Sequence, residues 1–391
     1  MRKNPYYRLK YIAGIPYLIT FGQGNADFKH DMLLNETGAF LWEQIDKVSD
    51  TEGLVALCKD HFQCTEEDYP VMEASIRQFM NSLYQQGAVW PKTDDTWGMP
   101  CYRTLKIAGL FLKLYGPEMA FAKELLDFET NEEFSDDAPI QEICVQTQLP
   151  AYTENGILLL RNPSLSVVEC VDHYLLLFPE LKQIREAHVD KEGKRVIIYC
   201  MPDITEETTV EISYVIRIAF LYFAQLKHRM AVHSASILYR DKVWLFSAPA
   251  GTGKTTHTQI WREVYETPVI NGDLNLIALE NGIATVHGIP WCGTSGIYSK
   301  QSYPLGGIIF LTQGADNKMI SLSKDQKLLR LLHRSISPGW KEEMQERNYS
   351  VVEELIDKIL ICHLSCNQEK EAAACSKGAI DAYLENNFQF C

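Results

Sequence analysis

One stretch of this sequence has residue types and spacing that could hold a polyphosphate: Ser247-Ala248-Pro249-Ala250-Gly251-Thr252-Gly253-Lys254-Thr255-Thr256. It fits the pattern of a small residue, four further positions and then Gly-Lys-Thr. Gly251 and Gly253 let the backbone curl until several N–H groups point inward at phosphate oxygens. Lys254 brings an ammonium to the β and γ phosphates, and Thr255 offers a hydroxyl to Mg²⁺. A helix starting at Lys254 would set its positive end under the anion. The expected nucleotide contacts are Ala250, Gly251, Thr252, Gly253, Lys254, Thr255 and Thr256, and the expected ligand is ATP with Mg²⁺.

Such a loop needs a carboxylate for its metal. Asp273, in Val-Ile-Asn-Gly-Asp-Leu, follows an apolar strand-like pair and is the candidate, although Asn-Gly is also an ordinary turn dipeptide. His233, in Met-Ala-Val-His-Ser-Ala-Ser, precedes the hairpin that leads into the loop; composition alone would make it a structural histidine. His287 to Gly293 forms a second glycine-bearing loop.

These residues need elements to position them. Lys242 to Phe246 is a short apolar strand that runs into the glycine loop, and a helix follows it. Around them, Leu105–Leu114, Ile140–Gln146, Gly156–Leu160, Arg195–Cys200, Ala231–Tyr239, Pro268–Ile270, Leu274–Leu279 and Gly307–Leu311 read as strands. Val210–His228, Asp325–Leu332, Val351–His363 and Glu369–Glu385 read as helices. The region is an α/β domain.

The first 90 residues differ. Tyr6–Ile12 and Pro16–Phe21 read as strands around a turn at Gly14, with a short third strand at Asp31–Leu34. Asn35 caps a first helix, Leu54–His61 is a second, and Thr65 caps a third in which Val71, Ile76, Phe79, Met80 and Leu83 recur at helical spacing; Gly87 ends it. This predicts a small winged-helix-like α+β domain over 1–90, a Pro/Gly-bearing polar linker over 91–100 and the α/β domain over 101–391.

The bulk numbers narrow the class. A chain of 391 residues suits two domains, and a net charge of −14 opposes broad nucleic-acid or acidic-membrane binding. Residues 1–90 hold eight Lys/Arg against twelve Asp/Glu, so the winged-helix-like domain is a poor DNA reader. Eleven cysteines include no Cys-x-x-Cys, which points to reduced thiols in a cytoplasmic protein. Cys362 and Cys366 would share a helix face. The basic start Met1 to Lys10 lacks an apolar core of signal length, and no run is expected to span a membrane.

The stretch from His233 to Asp273 resembles the HPr kinase/phosphorylase family, which has a phosphoenolpyruvate-carboxykinase type of nucleotide core. The histidine strand, hairpin, phosphate loop and acidic position occur here in that family's order. The likeness extends over roughly 100–391 and is closest to the HPr-kinase-like proteins found near genes for ribosomally made, modified peptides. His287–Gly293 is similar to their Gly-x-Pro-Trp loop, and Pro304–Gly314 to their strand before a Gln-Gly stretch. The resemblance implies a kinase with His233, Lys254 and Asp273 as catalytic residues and with Thr255 and Asp273 on the metal. One departure matters: the family has two consecutive aspartates, and here Gly272 takes the first position.

Residues 6–90 resemble the PqqD family of small peptide-recognition domains, through Leu9–Gly14, Tyr17–Ile19, Leu33–Trp42 and Phe79–Gly87. By that likeness a leader peptide adds as a strand beside Asp27–Leu34, against the last helix, with Leu33, Met72, Ile76 and Phe79 as contacts. Read without the family, the same apolar residues are core. Together the two likenesses imply a kinase for a Ser or Thr hydroxyl on a precursor peptide, held by its leader. The alternative is a non-catalytic ATP-binding accessory protein of a peptide-modification pathway, favoured by Gly272. No nucleic acid or membrane partner is expected, and an oligomer is compatible with the sequence.

Overall fold

The computed structural model describes residues 2–4, 7–21, 31–48, 51–65, 68–86, 88–90, 100–135, 137–147, 156–201 and 203–388. The chain divides into two compact units, Met1–Pro100 with Gln148–His188, and Cys101–Thr147 with Val189–Cys391.

In the first unit, β1 (Arg2–Lys3) pairs antiparallel with β5 (Val89–Trp90). β2 (Tyr7–Ile12) and β3 (Ile15–Thr20) form a hairpin closed by Ala13 and Gly14, both at positive φ, and β4 (Met32–Leu33) pairs with β3. Two consecutive left-handed residues give the turn whose twist matches a hairpin, which is why Gly14 stands there. Three helices follow: α1 (Glu36–Gln44), α2 (Thr51–Phe62) and α3 (Tyr69–Gln85). The Asn35 side chain caps α1 by accepting from the Gly38 N–H at 2.7 Å. α3 starts later than the Thr65 cap suggests, although the Thr65 hydroxyl does accept from the Asp68 N–H at 3.3 Å. Tyr7, Leu18, Trp42, Ile45, Leu54, Ile76, Met80 and Leu83 close one core. Gly87 and residues 27–30 and 91–99, all named in the sequence expectations, lie outside the described residues. This unit also holds the meander β9 (Ile157–Arg161), β10 (Ser166–Glu169) and β11 (His173–Leu177), and β12 (Ile184–Asp190) carries the chain back to the second unit.

The second unit opens with β6 (Arg103–Ile107) and β7 (Leu110–Tyr115), a hairpin where one strand was expected. Its turn is again two left-handed residues, Ala108 and Gly109. β8 (Ile140–Gln146) pairs parallel with β7 and with β13 (Arg195–Cys200), and the short α4 (Lys123–Leu126) lies between β7 and β8 in sequence. The long α5 (Glu206–Leu226) is capped by Thr205. By length and composition this helix could cross a membrane, contrary to the sequence expectation, but 61% of its apolar window is buried inside the protein.

The main sheet follows the order β14 (Arg229–His233), β18 (Leu274–Glu280), β19 (Ile283–His287), β20 (Tyr303–Gln313), β16 (Lys242–Ser247), β15 (Ala235–Tyr239) and β17 (Val269–Asn271). β22 (Leu360–Cys366) pairs parallel with β20 and antiparallel with β21 (Lys318–Ser321). The parallel trio β16, β20 and β22 is buried on both faces, as parallel sheets must be. Val243, Leu245, Ile308 and Phe310 face one core with α7 (Lys324–Leu332) and α8 (Glu342–Leu355). Trp244, Phe246, Ile309 and Leu311 face another with α6 (Lys254–Tyr265) and α9 (Lys370–Phe388).

The expected helix Val351–His363 is thus half wrong. It stops at Leu355, and Leu360–Cys366 is a strand at the heart of the sheet. A short apolar run carries no periodicity that separates a buried strand from a buried helix. Cys362 and Cys366 therefore sit on a strand, two pairs of residues apart on one face, and the ten described cysteines form no disulfide.

Candidate functional site

The strand order explains how distant residues meet. β14 and β18 are antiparallel, with His233 opposite Leu274, so the end of β14 lies beside Asp273. β15 pairs with β16, which delivers the loop after Ser247 to the same end of the sheet. The Ser247 hydroxyl donates to the His233 carbonyl at 2.7 Å and ties the two strand ends together.

The loop has the strained backbone that its glycines predict. Gly251 has φ +75° and Gly253 φ +106°, and the space where a Cβ would stand is open at both. Only glycine enters such conformations cheaply. Gly253 caps α6, so the first amides of that helix face the loop. Lys254 is buried and donates to the Ala248 carbonyl at 3.2 Å, folding its ammonium back across the loop. Burial lowers its pKa, and the Asp273 carboxylate opposes that shift. Ala250, Gly251, Thr255 and Thr256 are exposed, while Thr252 and Gly253 are half-buried.

Asp273 lies against these groups. Its Oδ1 is 3.0 Å from His233 Nε2. The hydrogen bond from His233 is the largest cause holding its pKa below the usual carboxylate range; burial opposes this, and His233, Lys254 and Arg217 add Coulombic attraction. The Asp273 and Leu274 N–H groups donate to Asn271 Oδ1 at 2.9 and 3.0 Å, which makes Asn-Gly-Asp a side-chain-locked turn. Buried Asn271 in turn donates to the Trp291 carbonyl at 3.1 Å. His233, Lys254 and Asp273 are thus brought to one corner. The donor set suits a magnesium polyphosphate: an exposed Thr255 hydroxyl, one ionised carboxylate, a lysine and an open glycine curl.

Gly272 has a physical reason. A Cβ there would lie 2.1 Å from Ser295 Oγ and 2.4 Å from Ser295 Cβ. Ser295 is itself fixed, donating to the Cys292 carbonyl at 2.7 Å. The loop after Trp291 fills the place that a second acidic side chain would need. Gly293 is equally constrained, since its Cβ would meet Asp273 Cβ at 2.9 Å. His287, at the start of this loop, is not at the corner: it is buried, 3.0 Å from Ser302 Oγ and 3.3 Å from Glu280, and burial pushes its pKa down to about 4. The sequence reading missed Ser295 and Arg217. Ser295 carried no signal, because nothing along the chain links it to Gly272.

The peptide-contact candidates divide. Leu33 is 66% exposed on β4, and Met72 and Phe79 are partly buried against the core. Ile76 is a correction: at 2% exposure it is a core residue and presents no surface to a partner.

Residues 29–89 match the family model for coenzyme PQQ synthesis protein D (PqqD), so the chain carries a PqqD domain there. Among solved structures, the Hpr(Ser) kinase/phosphatase from Coxiella burnetii is similar to 24% of this chain at 12% identity, with a TM-score of 0.18. The chain spans about 64% of that protein, and a likeness this slight supports no argument about activity. No protein of curated function matches the sequence.

Proposed function

We propose that the chain is an ATP-dependent phosphotransferase acting on a side-chain hydroxyl, Ser or Thr, of a ribosomally made precursor peptide that its PqqD domain recruits. PqqD domains bind precursor peptides in ribosomal-peptide pathways, which supports the peptide partner. The observation that carries the catalytic half is the meeting of Lys254, Asp273 and His233 beside a glycine curl.

In this reading the amides of Ala250 to Thr256 and the Lys254 ammonium bind the triphosphate. Thr255 and Asp273 hold Mg²⁺, which when bound screens the phosphate charge. Asp273 is suited to that work because its neighbours keep it ionised. His233 orients Asp273 and, in this reading, assists the acceptor hydroxyl. Phosphoryl transfer relies mostly on positioning and charge stabilisation, so one carboxylate can suffice. Tethering through the PqqD domain raises the local concentration of the acceptor, so the kinase corner itself needs little affinity for it. A cytoplasmic location fits the reduced cysteines.

A second reading has a specific observation behind it. Ser295 occupies the space beside Gly272, which favours an ATP-binding accessory protein that transfers nothing. Incubation with γ-labelled ATP, Mg²⁺ and the precursor peptide encoded nearest the gene separates the two. The kinase reading predicts label on a Ser or Thr of the peptide, abolished by Lys254→Ala; ATP binding with no label in the wild type would leave the accessory reading.

A further inference from the structure

The hairpin β2–β3 and strand β4 turn one face to the core, through Tyr7 and Leu18. The register places the other face in view. Arg8 stands opposite Ile19, Lys10 opposite Tyr17, Ile12 opposite Ile15, and Tyr17 opposite Leu33, so these side chains share the outer side of the sheet. Phe21 continues it, with the Arg8 guanidinium 5.2 Å above its ring. Ile12 is 54% exposed, Ile15 46% and Leu33 66%.

An antiparallel sheet with one face on a core normally shows water a polar face. Here the outer face is mainly isoleucine, tyrosine and leucine, with two cations. A contiguous exposed apolar patch rimmed by charge marks an interaction surface. Charge identifies the occupant. From Tyr7 to Phe21 the chain carries Arg8 and Lys10 and no acidic residue, although its net charge is −14. A second copy laid on this face would bring Arg8 and Lys10 against themselves, whereas an acidic partner is attracted. We propose that the outer face of the β2–β3–β4 sheet docks an acidic amphipathic segment of the peptide substrate, its apolar side on Ile12, Ile15 and Tyr17 and its carboxylates at the Lys10 edge. The inference rests on the peptide reading above. It adds a surface that does not include Met72 and Phe79, and it specifies the chemistry of what binds.

The test uses the full chain and two fluorescent synthetic amphipathic peptides of one length, one built from Leu and Glu, the other from Leu and Lys. Anisotropy should show the Leu/Glu peptide binding about tenfold tighter than the Leu/Lys peptide at low salt, with the gap closing as salt rises. Lys10→Glu should narrow or reverse that preference. Ile12→Ser with Ile15→Ser should weaken binding about tenfold while circular dichroism and Tm stay unchanged, since both side chains are surface groups. Equal binding of the two peptides, or affinity untouched by all the variants, overturns the proposal. Wild-type self-association in sedimentation, lost in the double serine variant, also overturns it, by assigning the face to a second copy. MgATP calorimetry on the same samples is an independent readout, so failure of the catalytic reading shows separately.

Discussion

The corner that gathers Lys254, Asp273 and His233 and the three-stranded sheet of the first unit are built on opposite principles. At the corner four side chains are already engaged, Lys254 on Ala248, Asp273 on His233, Asn271 on Trp291 and Ser295 on Cys292, while the Thr255 hydroxyl and the glycine curl stay open. Its geometry is set by where strands end in a doubly buried sheet. The first unit leaves apolar surface uncovered on a small three-stranded sheet. Preorganised polar groups suit a ligand whose charges are always in the same places. An exposed apolar face suits a longer partner that supplies its own side chains.

Substitutions can break this contrast, and the largest effect should come from the PqqD core. Ile76→Ala should cost about 2–5 kcal/mol in denaturant unfolding, because the side chain is buried; a cost below roughly 0.5 kcal/mol would return Ile76 to the binding surface. At the corner, Gly272→Asp should destabilise by about 1–3 kcal/mol through overpacking against Ser295, and adding Ser295→Gly should recover part of it. No recovery would mean that Ser295 is not what excludes the side chain.

Acid should act next. Buried His257 bonds Ser376 at 3.1 Å, and burial pushes its pKa down to about 4. The unfolded state therefore binds the proton first, and stability falls as pH drops from about 6.5 towards 4, by up to roughly 1.4 kcal/mol per pH unit from this residue. Urea midpoints across that range should lose this component in His257→Gln; an unchanged slope would show that His257 is not buried neutral. Smallest of all, Leu33→Ser should leave stability within about 0.5 kcal/mol while weakening peptide binding, which would sharpen the line between surface and core in that domain.

The sequence was legible where local chemistry dictates structure. The glycine curl, the strand before it, the Asn35 cap and the hairpin at Gly14 need only neighbouring residues. It was illegible where the deciding partner is distant. Leu360–Cys366 becomes a strand because β20 and β21 flank it, and nothing within the segment says so. The break between β14 and β15 at Ser234 and the Ala108-Gly109 turn hid inside apolar runs. Asp273 and His233 were identifiable by type, but their contact depends on the pairing of β14 with β18. Helical spacing alone placed Ile76 in the core, where it lies; its place among the peptide contacts came from the family resemblance, which does not show how deeply a residue is buried.

The most direct test of the account is isothermal calorimetry of MgATP with the full chain and with Lys254→Ala. The account predicts saturable one-to-one heat for the wild type and affinity reduced about 100-fold or more for the variant, since a buried ammonium aimed across the loop is lost. Absence of heat in the wild type, or equal affinity in both, would contradict it.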